Sequence, residues 1–201
     1  MTNATRTLGH WAVAAALAAS WLAPETPLAQ PAPAVPPPAR TQSLAPYVPT
    51  PQDVVDRMLT LAGVSESDVV YDLGCGDGRL VITAAKRFGA RGVGVDIDPE
   101  RVAESRANAA KAGVEALVTF KLQDALEVDV SPASVVTLYL LSSSNLKLRP
   151  RLTAQLRPGS RIVSHAFSMG DWEAEKVDTF KDANGTTRTL YLWRSDGKPR
   201  P

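Results

Sequence analysis

The chain has 201 residues and a formal net charge of +1, and its composition excludes several classes of protein. A single cysteine, Cys75, rules out an intramolecular disulfide, and two histidines are too few for a histidine-rich metal site. The carboxylates show no metal-ligand spacing, so we expect no metal. From residue 41 onward there are 20 basic and 20 acidic residues, because only Arg6, Arg40 and Glu25 come earlier. This balance lacks the basic footprint of a nucleic-acid-binding domain.

The N-terminal stretch predicts a targeting or anchoring segment. Trp11 to Ala23 is a largely apolar run, typical in length of a signal-peptide hydrophobic region and short for a membrane span. Candidate cleavage sites are poorly formed, so residues 1–29 are either a signal peptide or a signal anchor. We therefore expect the protein to be exported to the periplasm or anchored in the membrane. Residues 30–49 are rich in proline and predict a disordered linker before a single domain at residues 50–195.

The first elements of this domain are a helix and a buried strand. Thr50 offers an N-cap and Pro51 a first-turn proline for a helix that continues through an apolar periodic run. After it, the β-branched run Val69 to Leu73 predicts a strand that is buried in a parallel sheet.

A glycine-rich turn follows that strand directly. Gly74 and Gly76 allow positive φ angles and a close approach of backbone to a ligand, and a helix is expected over residues 78–88. A dinucleotide-binding fingerprint needs a third glycine where this chain has Arg79. The turn therefore predicts a ligand other than a dinucleotide.

Acidic residues also end the next two predicted strands. The strand at residues 91–95 leads to Asp96, which at this position can bind ribose hydroxyls. The strand at residues 117–122 leads to Asp124, whose carboxylate can accept a hydrogen bond from an adenine amino group, while Ala125 packs on the ring. Because parallel strands end at one edge of the sheet, these side chains are expected to meet.

The remaining pattern completes an α/β domain. Asp98 and Gly113 are interpreted as the caps of a helix at residues 99–112. Asn184-Gly185 is a strong hairpin signal between the last two strands. The four later strands are predicted at residues 134–140, 161–167, 176–181 and 187–193. We expect a Rossmann-like, doubly wound, seven-stranded mixed sheet.

A local run of basic residues interrupts the balanced charge. It carries no acidic side chain and is interpreted as a solvated face, with anionic lipid or an acidic substrate as alternatives. Its members are Lys147, Arg149, Arg151, Arg157 and Arg161.

These motifs carry a family resemblance. The D-x-G-x-G-x-G pattern from Asp72 resembles the first motif of class I S-adenosylmethionine (SAM) methyltransferases. Y-V-P-T-P at 47–51, D-L-G-C-G-D-G-R-L-V-I-T-A-A at 72–85, G-V-D-I-D-P at 94–99 and H-A-F-S-M-G-D-W at 165–172 are similar to one group within it. That group is the seven-strand protein-lysine methyltransferases that include the enzyme modifying the c-ring protein of ATP synthase.

The resemblance implies a SAM-dependent methyltransferase that acts on a lysine of a protein. The balanced charge argues against a nucleic-acid partner, and the proline-rich tether favours a protein substrate held near a membrane. We expect a monomer. Tyr139 and Trp172 are the candidate catalytic residues, because they could line an apolar slot that favours a neutral amine. The implied cofactor contacts are Tyr47, Thr50, Asp72, Gly74, Gly76, Asp96, Ile97, Asp124 and Ala125.

Some features leave the substrate open. The eukaryotic branch of the group tends to have a Phe-Pro-rich segment where this chain has residues 166–170, the region expected to meet substrate. A methyltransferase of a small molecule and a SAM-binding module without turnover remain as alternatives. His165, inside a predicted strand, is interpreted as a core histidine with satisfied hydrogen bonds, with a general base as the alternative.

Overall fold

A computed structural model describes residues 43–201. Seven strands form one sheet in the order β3-β2-β1-β4-β5-β7-β6, in which β1 to β5 are parallel and β7 runs antiparallel to both neighbours. The strands are β1 Val69–Leu73, β2 Arg91–Asp96, β3 Val118–Leu122, β4 Val135–Leu138, β5 Arg161–His165, β6 Lys176–Lys181 and β7 Thr187–Arg194. The helices are α1 Gln52–Leu61, α2 Arg79–Phe88, α3 Pro99–Ala112 and α4 Ser142–Gln155. The predicted doubly wound seven-stranded mixed sheet is confirmed.

Apolar side chains cover both faces of this sheet. Helices α1, α2 and α3 bury Val54, Val81 and Val102 in one cluster, which also contains Val70 of β1. Helix α4 buries its leucines in a second cluster with Tyr71 and Leu73, because successive side chains of a strand point to opposite faces. The resulting three layers leave the carboxyl ends of the parallel strands as one open edge.

Strand order places a crevice at that edge. The chain moves from β1 outward to β2 and β3, then returns to the other side of β1 with β4. Open α/β sheets bind ligands where the strand order reverses in this way. Among residues 43–201, no helix is both long and apolar enough to cross a membrane. The predicted segment at residues 1–29 lies outside the described residues.

Two details of the helices differ from the expectation. Helix α1 begins at Gln52 with Pro51 as its N-cap residue and no side-chain cap, so Thr50 does not cap it. Helix α4 falls on a stretch for which no helix was predicted.

Two members of the basic run at residues 147–161 are not solvated. Arg149, in helix α4, is largely buried, and Arg161, at the start of β5, pairs with Asp68. The interpretation of this basic run as a solvated face is therefore wrong for these two arginines.

Candidate functional site

The cleft lies at the carboxyl ends of β1 to β4. Its volume is about 480 Å³, within the range of clefts that hold a small molecule. Its lining contains every residue expected to contact the cofactor: Tyr47, Thr50, Asp72, Gly74, Gly76, Asp96, Ile97, Asp124 and Ala125. Tyr139 also lines it. The roles of these residues remain predictions, but the fold brings all of them to one place.

The glycine turn after β1 forms the floor of the cleft. Gly74 and Gly76 both have positive φ, at 83° and 53°. A Cβ added at Gly76 would lie 2.5 Å from Cε2 of Tyr47, so the tyrosine ring rests directly on the backbone of the turn. Only a residue without a side chain permits both this conformation and this contact.

Asp96 joins the end of β2 to the glycine turn. Its Oδ2 accepts a hydrogen bond from the backbone N of Gly76 at 2.8 Å, and its Oδ1 accepts one from the backbone N of Asp98 at 3.0 Å. A carboxylate has about four acceptor positions, so two remain for hydroxyl groups of a ligand. Asp98 caps α3 by accepting from Glu100 N, as expected.

Asp72 is the most deeply buried carboxylate of the cleft, at 4% exposure. The Thr137 hydroxyl of the neighbouring strand donates to its Oδ1 at 2.7 Å. Burial raises the pKa of Asp72 to about 7, with the nearby charges of Asp96 and Asp77 adding to the effect and the Thr137 hydrogen bond opposing it. A cationic ligand group would relieve this cost, since an opposite charge favours the ionised form.

Asp124 and Ala125 follow β3, and Asp124 holds the loop locally. Its Oδ1 accepts from the backbone N of Leu126 at 2.8 Å. The adjacent Gln123 donates its backbone N–H to the carbonyl of Asp96 at 2.9 Å, which ties the ends of β2 and β3 together. The loop that contains Asp124 and Ala125 therefore begins next to the end of β2.

The segment before α1 covers one side of the cleft. Residues 43–50 all line it, although residues 43–49 fall within the predicted linker range. The Arg101 guanidinium lies 4.7 Å from the centroid of the Tyr47 ring, and Ser144 Oγ donates to the carbonyl of Leu44 at 2.5 Å. Residues 43–50, the lead-in to α1, are therefore attached to both α3 and α4.

Arg79 also lines the cleft. From sequence it was considered only as the position where a dinucleotide-binding fingerprint would have its third glycine. Its Nη1 donates to the carbonyl of Thr50 at 2.7 Å, and its Nε and Nη2 pair with the Asp77 carboxylate. Burial of the Asp77 carboxyl group would raise its pKa, but the ion pair with Arg79 outweighs this effect and lowers the pKa. The charge at the start of α2, one residue after the last turn glycine, could have indicated this clamp.

Of the two candidate catalytic residues, only Tyr139 reaches the cleft. Trp172 is absent from the cleft lining; its ring lies 6.0 Å from that of Trp193 and under the Arg200 guanidinium. Trp193 Nε1 donates to the carbonyl of Trp172 at 2.8 Å, which holds the residue over the second core cluster. The expectation that Trp172 lines the substrate slot is corrected, because the turn after β5 carries it toward β7.

Cys75 also lies at the glycine turn. It is buried, and burial together with the carboxylate of Asp72 raises the pKa of its thiol. A thiol with a raised pKa stays protonated and is a weak nucleophile. We therefore interpret Cys75 as a small residue of the turn and not as a nucleophile.

A sheet with this strand order, a glycine turn after β1 and carboxylates after β1, β2 and β3 define a class I methyltransferase. The set of hydrogen-bond acceptors fits SAM: a buried carboxylate for an ammonium group, a second for ribose hydroxyls and a third for an amino group. The family model described as the ANTKMT methyltransferase domain matches residues 72–176, and the chain belongs to this family. Its cofactor is SAM.

Individual relatives agree on this class. A protein-lysine N-methyltransferase of Saccharolobus islandicus is 48% identical over 149 residues, which cover 74% of this chain and 92% of that protein. The adenine nucleotide translocase lysine N-methyltransferase of Mus musculus is 33% identical over 133 residues, 66% of this chain and 57% of that protein. A crystal structure described as an RNA methyltransferase from Salinibacter ruber, in complex with S-adenosyl-L-homocysteine, has a TM-score of 0.71 and 54% identity. It covers 76% of this chain and 97% of that chain.

Proposed function

We propose that this methyltransferase transfers the methyl group of SAM to the side-chain amine of a lysine in a protein. The observation that carries the proposal is the 48% identity to the Saccharolobus islandicus protein-lysine N-methyltransferase over 92% of that protein's length. The mouse translocase-modifying enzyme, more distant and matched over 57% of its length, supports the same acceptor.

The chemistry requires alignment more than activation. SAM supplies a methyl group on a sulfonium that is already reactive. The chain must hold the acceptor nitrogen in line and exclude water. The cleft wall that would face the methyl-accepting amine contains the ring of Tyr139 and the side chains of Leu140 and Leu141. An apolar wall of this kind disfavours an ammonium and so promotes the neutral amine that attacks.

A second candidate is methyl transfer to RNA, favoured by the description of the Salinibacter ruber structure at 54% identity. The 20 basic and 20 acidic residues from position 41 onward give no net electrostatic attraction to a phosphate backbone. Protein is therefore the better supported acceptor. A small-molecule acceptor and a module that binds SAM without turnover remain outcomes of the test.

Membrane association, export and a monomeric state belong to the same proposal. The apolar run Trp11 to Ala23 supports an anchor or signal, and the prolines after it would tether the domain beside a bilayer. SAM is a cytosolic metabolite, so an anchor that keeps the domain on the cytoplasmic side needs no transport of SAM, whereas export requires SAM outside the cytosol. Fractionation of the full-length protein, with size-exclusion chromatography of residues 41–201, tests these points.

The acceptor class is tested by transfer of labelled methyl from SAM into an extract of cells that lack the enzyme. Protein, RNA and small-molecule fractions are counted separately. We expect label in protein that survives nuclease and appears as methyl-lysine after hydrolysis. Label in RNA alone or in small molecules alone would overturn the lysine proposal, and no label despite SAM binding would indicate a binding module.

A further inference from the structure

The buried polar atoms that lack a hydrogen-bond partner lie inside the core. Among residues 43–201 they include both ring nitrogens of His165, which is 0% exposed and stacks on Tyr139. The expectation of a core histidine with satisfied hydrogen bonds is therefore wrong on its hydrogen bonding. Because the side chain is fully enclosed, these atoms cannot meet a ligand from solvent.

Two exposed arginines, by contrast, have unpaired side chains that a ligand can reach. Within residues 43–201, every arginine except Arg91 and Arg157 donates a side-chain hydrogen bond or pairs with a carboxylate. Both of these residues are exposed. A guanidinium has five N–H donors and keeps its charge in proteins, so each of the two is available to bind an anion.

Both arginines line one open groove at the amino ends of the parallel strands. Arg91 begins β2, and Arg157 lies between α4 and β5. The groove has a volume of about 570 Å³, within the range of clefts that hold a small molecule. The cofactor cleft lies at the opposite, carboxyl ends of the strands, so the two cavities are separate.

The groove is open because no helix covers this part of the sheet. Val69 is paired with Arg91, and Val93 with Thr119, so these four side chains point to one face. It is the face of the second core cluster, against which Val69 and Val93 pack. The chain passes from β3 to β4 without a helix, which leaves the starts of β1, β2 and β3 accessible on this side.

The charge of the groove is positive. Among the described residues, none of those that line it is acidic. Asp68 adjoins the lining residue Ser67 in sequence, but it is buried, pairs with Arg161 and accepts the Ser134 hydroxyl. Its charge is therefore already balanced, and the guanidinium groups of Arg91 and Arg157 remain without a counterion from the protein.

The lining selects an organic phosphate. The planar fork of a guanidinium matches the oxygens of a phosphate, and two such groups together balance a dianion. The exposed hydroxyl of Thr119 offers a further donor. Inorganic phosphate would leave the apolar part of the groove, which contains Val69, Val93 and Leu117, in contact with water. A ligand with an organic group would cover these side chains and gain affinity from their burial.

We propose that Arg91 and Arg157 form a second binding site, which takes a small organic phosphate. The two guanidinium groups hold the phosphate, and the organic part lies on the apolar side chains between the strands. This site is independent of the methyl acceptor, because it lies at the edge of the sheet opposite the SAM cleft.

The test is calorimetric titration of the full-length protein with phenyl phosphate, after saturation with S-adenosylhomocysteine to fill the cofactor cleft. We expect saturable binding of one phenyl phosphate per chain. Arg91→Gln and Arg157→Gln should each weaken this binding at least tenfold. Affinity for S-adenosylhomocysteine and the unfolding temperature should not change, because both side chains are exposed and unpaired. No binding by the wild-type protein, or a loss in only one of the two variants, would overturn the site.

Arg106→Gln is the matched control for charge. It removes the same charge from an exposed arginine of α3, which donates to the carbonyl of Phe120 and lies outside the groove. Its affinity for phenyl phosphate should equal that of the wild type. An equal loss in all three variants would show general attraction of anions by positive charge and would overturn the site.

Two further ligands distinguish the source of the phosphate. Inorganic phosphate should compete with phenyl phosphate but bind at least tenfold more weakly, because it leaves the apolar side chains uncovered; equal affinities would overturn the organic part of the ligand. Vesicles of phosphatidylcholine with phosphatidic acid should not compete with phenyl phosphate. Vesicle binding that does compete, and that is lost in Arg91→Gln, would assign the groove to a lipid headgroup and overturn the small-molecule site.

Discussion

The carboxylates of the cleft differ in how many hydrogen bonds the fold already gives them. Asp96 accepts two backbone N–H groups and Asp124 accepts one, so both also hold their loops. Asp72 accepts the Thr137 hydroxyl, which leaves most of its charge unbalanced in a buried position. Asp72 therefore gains most from a cationic ligand, and Asp96 has a structural role in addition to its predicted contact with ribose.

SAM affinity should depend on pH through Asp72. The pKa of this group in the free protein is about 7, raised by burial, and only its ionised form attracts an ammonium. Affinity should therefore fall as pH drops through 7, being roughly tenfold weaker at pH 6 than at pH 8. Calorimetric titration across this range measures it. In Asp72→Asn the affinity should be lower and the pH dependence absent; a mutant that retains the wild-type profile would contradict the assignment.

Replacing Asp96 should weaken SAM binding strongly. Asp96→Ala removes the predicted charge-assisted bonds to ribose, at about 1.5–3 kcal/mol each, and releases the Gly76 N–H from its carboxylate partner. Asp129→Ala is a matched control, since Asp129 also accepts a backbone N–H, from Ser131, but lies outside the cleft. Calorimetry should show the loss for Asp96→Ala only. Equal affinities for the two variants would remove Asp96 from the site.

At the scale of elements, the cleft is closed by contact between the lead-in to α1 and the glycine turn. The Tyr47 ring rests on Gly76, and the Arg79 guanidinium joins Thr50 to Asp77. Neither contact follows from local propensity, because each joins residues about 30 positions apart. The lead-in and the turn should therefore act as one unit in cofactor binding.

Adding one methyl group to the turn tests this unit. Gly76→Ala places a Cβ 2.5 Å from Tyr47 and should weaken SAM binding by displacing the ring. Gly113→Ala is the control, because its φ is also positive, at 70°, but nothing lies within 4 Å of the added Cβ. Both variants should lose about 1 kcal/mol of stability to backbone strain, and only the first should lose affinity. Combining Gly76→Ala with Tyr47→Ala should remove the steric part of the effect; if the double variant shows no relief, the ring contact is not the cause.

Trp172 should contribute to stability more than to binding. Its indole packs on Trp193 at 6.0 Å, away from the cleft. Trp172→Ala should lower the free energy of unfolding by about 1–3 kcal/mol and leave SAM affinity unchanged. Denaturant unfolding and calorimetry on the same preparation measure both quantities. A stable variant with lost turnover would restore Trp172 as a substrate contact.

The elements with strong local signals could be predicted from sequence. Strand β1 and helix α3, with its Asp98 and Gly113 caps, have the expected bounds, because β-branched residues and capping residues act locally. Helix α4 was missed because Pro150 and an N-terminal run of serines mask the apolar spacing of its leucines.

Within the site, the strand-end carboxylates could be placed in the same way, since parallel strands end at one edge of the sheet. The unpartnered state of the buried His165 nitrogens and the position of Trp172 depend on tertiary contacts. No periodicity records such contacts, so these features could not have been placed from sequence.

At the scale of the whole molecule, the domain carries its cofactor cleft at the carboxyl edge of the sheet, and its charge from residue 41 onward is balanced. Exposed apolar side chains at that edge include Tyr47, Val48 and Leu141, at 48%, 54% and 41% exposure. A rim of this kind suits a protein surface, which can cover the cleft and exclude water during transfer.

Mass spectrometry of proteins from cells with and without the gene, with the membrane fraction analysed separately, tests lysine methylation most directly. We expect a methyl-lysine that disappears on deletion, returns with the wild-type gene and does not return with Asp96→Ala. If no protein methylation differs while methylation of RNA or of a small molecule does, the lysine proposal is wrong and the methyltransferase class alone remains.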